Sequence, residues 1–392
     1  MKTIILTAGV FCSSLFLNAQ TTVESVLASV EANNTTLLSL RQAAEAQKVA
    51  NRTGIYPDNP EVGFNYLWGH PATTGARTDF SLTQSVDIPT LTGMKRSLAA
   101  GQNSLVEWQY RAARMDVLLE AKRYCIELVY YNALKVELDV RLQQAETIAA
   151  GYAERMDRGD ASLVEYNKAM LNLSTCRGEM SRVEVEREAL LAQLERLNGG
   201  NAVALALTRL EEGGLPPDFD AWYLQAEEGN PVLAGAKQEV ETGRQQVSLS
   251  RAMGLPSFRA GYMSEKVVGQ RYQGLTLSLS VPLWENKNRV KQARTALQAA
   301  RARQADSRQQ LYGRLRTLHR RALGLEATAG TYRKALRTAD NTALMKKALD
   351  KGEISLLEYM LEAGLYYDTV SRALEAEKDY RLAVAELLAV EL

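Results

Sequence analysis

Eleven residues from the middle of the chain return near its end. Residues 156–166 read Met-Asp-Arg-Gly-Asp-Ala-Ser-Leu-Val-Glu-Tyr and residues 349–359 read Leu-Asp-Lys-Gly-Glu-Ile-Ser-Leu-Leu-Glu-Tyr, so Gly159 matches Gly352, Ser162 matches Ser355 and Tyr166 matches Tyr359. Each copy separates two long stretches of helical apolar spacing. The glycine supplies a positive-φ turn, and an acid and a small hydroxyl residue start the next helix. Each copy is therefore expected to be the tip of a helical hairpin.

The correspondence runs well beyond the tips. Asn34, Leu37 and Arg41 match Asn230, Leu233 and Lys237, and Pro60, Val62 and Tyr66 match Pro256, Phe258 and Tyr262. Phe80, Leu82, Val86 and Ile88 match Leu275, Leu277, Val281 and Leu283, all at an offset of about 195 residues. A register kept through that many segments marks a duplicated unit. The first repeat is placed at 20–200, with a helix at 21–55, strands at about 60–68 and 79–89, and a hairpin at 91–198 whose tip is 157–162. Residues 201–217 form a linker with a short strand in the run 203–208. The second repeat, 218–392, has a helix, strands at about 256–267 and 272–284, and a hairpin at 286–390 whose tip is 350–355.

The strands are read from strict alternation. Val62, Phe64, Tyr66 and Trp68 share one face, as do Phe80, Leu82, Val86 and Ile88, with Ser81, Thr83 and Ser85 opposite and Gln84 interrupting the apolar side. From Leu91 to the first tip the pattern is helical without a proline, enough for a helix of about 100 Å.

Residues 1–19 read as a secretory signal peptide: Lys2, an apolar run from Ile4 to Leu17, then Ala19 before the cleavage point. No later apolar window is long enough for a membrane helix, so an exported chain of this kind is soluble or spans as a β-barrel. The net charge is +1 with 24% charged residues, which argues against a nucleic-acid partner. With two histidines, His70 and His319, and only Cys125 and Cys176 beyond the leader, no metal cluster or cofactor is expected. No phosphate loop or nucleophile–base set points to an enzyme.

Four strands with one apolar face are too few to close a barrel, whose smallest membrane form has about eight. An open edge in lipid leaves backbone groups unpaired at several kcal/mol each. In a membrane these strands demand an oligomer, with Asn65, Ser81, Thr83, Arg259, Thr276 and Ser278 facing a wet lumen. Arg259 would there bias the lumen towards anions or simply be solvated. A soluble β-sandwich with the alternation facing an ordinary core is the other reading. The Ala-, Leu- and charge-rich long helices bury narrow stripes against neighbours, coiled-coil fashion, and two hairpins per chain around a symmetry axis would make a helical tube.

This order of leader, helix, two strands and long hairpin with a Gly-x-x-Ser-x-x-Glu tip, then all but the leader again, resembles the TolC family of outer-membrane efflux proteins over essentially the whole mature chain. The length and the segment 281–288 (Val-Pro-Leu-Trp-Glu-Asn-Lys-Asn) resemble its heavy-metal branch more than its drug branch. The resemblance implies a mainly α fold with a membrane β-barrel: a homotrimer whose twelve-stranded barrel in outer-membrane lipid continues into a periplasmic α-helical barrel. It implies a passive exit duct for drugs or metal cations, partnered by a periplasmic adaptor and an inner-membrane pump of RND or ABC type. Adaptor docking would fall to the tips, Asp157, Arg158, Gly159, Asp160, Ser162, Leu163 and Tyr166 with Asp350, Lys351, Gly352, Glu353, Ser355, Leu356 and Tyr359. An acid six residues after the glycine would line the periplasmic gate: Glu165 and Glu358. The family's second acid, three residues on, is replaced by Lys168 and Leu361, with Glu362 beside the latter. The same glutamates are also what any exposed first helical turn carries. A periplasmic coiled-coil scaffold or adaptor outside any membrane is the rival function.

Overall fold

The computed structural model describes residues 22–86, 89–210, 213–284, 286–339 and 341–392. The expected signal peptide and Ile88 lie outside them. In chain order the elements are α1 (Val23–Asn33), α2 (Thr35–Ala50), β1 (Glu61–Trp68), β2 (Ala76–Val86), α3 (Pro89–Asp157) and α4 (Leu163–Leu197). Then come α5 (Phe219–Gly229), α6 (Pro231–Ala252), β3 (Ser257–Val267), β4 (Gln270–Ser280), α7 (Arg289–Ala339), α8 (Thr342–Asp350) and α9 (Leu356–Leu387). The series of two helices, two strands and long helices thus runs twice.

Three sequence expectations are corrected. The single helix expected at 21–55 is a pair, because Asn34 leaves helical geometry (ψ 118°) and its side chain accepts from Leu37 N at 2.8 Å. Asn230 does the same, with ψ 118° and bonds from Val232 N and Leu233 N at 3.0 and 3.2 Å. Asparagine competes for backbone donors in this way and so starts helices better than it continues them. The outgoing helix of the second hairpin is divided between α7 and α8, where Thr338, Asn341 and Thr342 crowd poor helix formers together. Nor does 203–208 form a strand: Leu205 O and Leu207 O accept from Asn132 Nδ2 at 2.9 and 3.0 Å, a side chain replacing a strand neighbour.

The strands also shift slightly. β2 is described as far as Val86 and α3 already begins at Pro89, while β4 ends at Ser280 rather than 284. Proline preorganises a first helical turn. All four strands form one antiparallel sheet in the order β1-β2-β3-β4.

The chain packs as two compact units, one of residues 22–32, 124–210 and 341–375, the other of 33–123, 213–339 and 376–392. In the first, Leu134 and Leu138 of α3 pack with Met180 and Val183 of α4. Ile148 and Tyr152 of α3 gather with Leu173, Leu356 and Tyr359. The second unit holds the sheet and an aromatic cluster in which Phe219 stacks on Tyr223 at 5.9 Å and Tyr223 meets Tyr312 edge-on at 4.9 Å. His319 sits here as a core residue, Nε2 2.9 Å from Pro216 O. Among the described residues no helix is long and apolar enough to cross a membrane, and no group of side chains is arranged to hold a metal.

Candidate functional site

Both tips are built alike at the backbone. After α3, Gly159 turns at φ 80° and Asp160 N donates to Arg155 O at 2.7 Å; after α8, Gly352 turns at φ 72° and Glu353 N donates to Ala348 O at 2.9 Å. These are the left-handed helix ends that favour glycine. Ser162 then caps α4: its Oγ accepts from Glu165 N at 3.2 Å, while Glu165 Oε2 accepts from Ser162 N at 2.8 Å. Ser355 and Glu358 repeat this at the start of α9, with distances of 3.2 and 2.7 Å. The two expected gate acids are therefore the closing halves of capping boxes. The serine backbone N–H holds each carboxyl below the usual glutamate range. Glu362 lies one turn further along α9, exposed.

The side chains of the tips differ. Leu163 is 62% exposed beside exposed Val164, and Tyr166 is half-buried, whereas Leu356 is 3% exposed and Tyr359 5%. Leu356 and Tyr359 face Ala145, Ile148, Ala149 and Tyr152 of α3. The docking set is corrected accordingly: those two form the tip's interior, and Asp157, Arg158, Asp160, Ser162 and Leu163 with Asp350, Lys351, Glu353 and Ser355 form its exposed part. Arg158 and Lys351 each meet the acid two residues on, at 3.8 and 3.9 Å.

Sequence reasoning missed the polar ties behind the second tip. The hydroxyls of Tyr359 and Tyr367 both donate to Gln144 Oε1, the former at 3.3 Å. Arg141 lies 4.2 Å over the Tyr367 ring, donates to Ser371 Oγ at 3.2 Å and pairs with Glu179 at 3.6 Å. Burial pushes the Tyr359 hydroxyl up to about 12 and lowers Arg141. The available signal was an arginine and a glutamine set among the core positions Leu138, Ala145 and Ile148 of α3.

The sheet sorts its side chains by face. Val62, Leu82, Tyr262 and Leu275 stand in one cross-strand row, with Phe64 and Phe80 in the next and Val86, Phe258 and Leu279 in another. This face is bare: Leu275 is 88% and Leu277 84% exposed. The register puts Asn65, Ser81, Thr83, Arg259, Thr276 and Ser278 together on the other face. There Asp79, 7% exposed, opposes Glu265 across the strands, and Arg77 Nε lies 2.9 Å from Asp79 and 3.2 Å from Glu265. Arg259 pairs with Glu61 at 3.6 Å. The strands at the two sides, β1 and β4, each have a single neighbour.

A mainly helical chain with one small four-stranded sheet is also what the comparisons find. Residues 222–390 match the sequence model of the outer membrane efflux protein family. That part of the chain carries the family's sequence pattern. Solved structures similar to the chain include the CmeC outer membrane channel of Campylobacter jejuni, with TM-score 0.77 and 15% identity over 94% of this chain and 85% of that one. VceC of Vibrio cholerae, an outer membrane protein, aligns with TM-score 0.75 and 11% identity over 94% and 95%. The open state of the MtrE outer membrane channel of Neisseria gonorrhoeae aligns with TM-score 0.71 and 13% identity over 94% and 88%. No curated protein matches the chain's sequence.

Proposed function

We propose that this protein is an outer membrane efflux protein, the exit duct of a tripartite efflux system. Three chains, each contributing β1–β4, close a twelve-stranded barrel in the outer membrane, and their hairpins continue it as a periplasmic tunnel. Residues 1–19 serve as the export leader. One observation carries the reading: a four-stranded sheet with a bare apolar face, a polar face and a single neighbour for each of β1 and β4. Lipid covers the first face, a water-filled lumen hydrates the second, and neighbouring copies satisfy the edges.

The exposed parts of the tips dock the periplasmic adaptor, Leu163 and Val164 supplying apolar contact and the charged pairs 158/160 and 351/353 a polar rim. Glu165, Glu358 and Glu362 form the acidic surround of the entrance, and the inner-membrane pump supplies the energy. The test is to isolate the protein from outer membranes in mild detergent, determine its oligomeric mass and β-content, and record conductance in planar bilayers. A heat-modifiable trimer that conducts ions supports the duct. A water-soluble, purely helical monomer refutes it and leaves a periplasmic scaffold.

A further inference from the structure

The apolar face of the sheet ends in a basic row. Beyond Phe64 and Phe80 the same face continues with Tyr66, Thr78, Lys266 and Arg271, of which Lys266 and Arg271 are direct cross-strand partners. Both are exposed. Arg271 Nε donates to Ser264 Oγ at 3.2 Å on that face, which uses one of the guanidinium's five N–H groups.

The carboxylates of the four strands, Glu61, Asp79 and Glu265, all fall on the opposite face, where Arg259 and Arg77 meet them. Lys266 and Arg271 are thus two like charges side by side with no acid on their own face. Such a pair is destabilising unless an anion joins it.

Its depth suggests which anion. From the row of Lys266 to the row of Phe258 is eight residues, or about 20 Å along the membrane normal for strands rising ~3.3 Å per residue at a tilt of ~40°. That is close to the ~25 Å apolar band of an outer-membrane barrel, so the pair stands where hydrocarbon gives way to headgroups. The β3–β4 turn at 268–269 lies just beyond, and α3 and α7 leave from the other ends of their strands. In a duct whose helices point into the periplasm this edge belongs to the outer leaflet. Exposed Tyr66 in the same row and Trp68 beyond it supply interfacial aromatics.

We propose that Lys266 and Arg271 form a binding site for the phosphate of an outer-leaflet glycolipid headgroup, the guanidinium binding two oxygens and the ammonium a third. The site rests on the duct reading. The test uses the full-length protein in detergent, wild type and Lys266→Gln/Arg271→Gln, titrated with phosphorylated lipopolysaccharide and with its enzymatically dephosphorylated form, with bound lipid read by native mass spectrometry. Wild type should bind the phosphorylated glycolipid about tenfold or more tighter than the variant does, and the dephosphorylated lipid should not distinguish the two proteins. Equal binding by wild type and variant overturns the site. Full displacement by millimolar inorganic phosphate overturns its assignment to lipid. Oligomeric mass separates the two readings: a protein that is not a trimer refutes the duct, whereas a trimer with equal lipid binding refutes only the headgroup site.

Discussion

Leu163 and Leu356 occupy the same position, directly after the capping serine, yet truncating them should give opposite results. Leu356→Ala removes about three carbons at about 0.8 kcal/mol each from a side chain that is 3% exposed and packed on α3. The cavity left behind raises the loss to about 3 kcal/mol. Leu163 is 62% exposed, so its truncation should cost at most about 0.5 kcal/mol. Local stability is measured by limited proteolysis of the detergent-solubilised protein, with cleavage followed at 349–356 and at 156–163. Docking is measured by capture of the protein on immobilised adaptor. Leu356→Ala should accelerate cleavage at its own tip, and Leu163→Ala should leave cleavage unchanged while weakening capture. Equal destabilisation of both tips, or a protease-resistant Leu356→Ala tip, would refute the inside-and-outside distinction between the two repeats.

Acid should loosen both tips. The Glu165 and Glu358 carboxyls are held below the ordinary 4.5, so their capping contribution is complete above that value and disappears as pH falls through the lower folded value. Tip proteolysis between pH 7 and pH 3 should rise in the wild type, and the Glu165→Gln/Glu358→Gln variant should flatten that dependence. Arg77→Gln strips the cation from Asp79 and Glu265 on the polar face, and reversal potentials in a salt gradient should move towards cations, with a permeability ratio changed roughly severalfold. Asn132→Ala removes two donors from Leu205 O and Leu207 O and the acceptor for Arg187 Nε. That should cost about 3 kcal/mol and open 201–210 to protease, whereas cleavage confined to the tips would show that the linker is held otherwise.

What the sequence made legible was what short-range chemistry decides. The glycine turns, the alternating strands and the helical runs follow from neighbours a few residues apart, and so does the common facing of Asn65, Ser81, Thr83, Arg259, Thr276 and Ser278. The capping boxes were written in Ser162-x-x-Glu165 and Ser355-x-x-Glu358, although the glutamates drew a gate reading first. The breaks at Asn34 and Asn230 had one visible sign, the Asn-Pro step at 230–231, whose proline suits a first helical turn. The inequality of the tips had none: Ser-Leu-Val-Glu-Tyr and Ser-Leu-Leu-Glu-Tyr are nearly one word. Whether the leucine and tyrosine meet solvent or α3 depends on contacts some two hundred residues apart. Gln144 and Arg141 escaped notice for the same reason, since a polar residue in a long helix reads as solvated until its partner is known.

The sheet's two single-neighbour strands also have a genetic consequence. If each barrel closes by joining the β4 of one copy to the β1 of the next, a subunit carrying Leu277→Pro brings to the ring a β4 whose ladder is interrupted by a residue with no backbone N–H. One such copy breaks the ring however sound the other two are. Co-expressed equally with wild type, and mixing at random, it would leave about one trimer in eight intact. The allele should behave as a dominant poison, while a deletion of the same gene would be recessive to a single good copy.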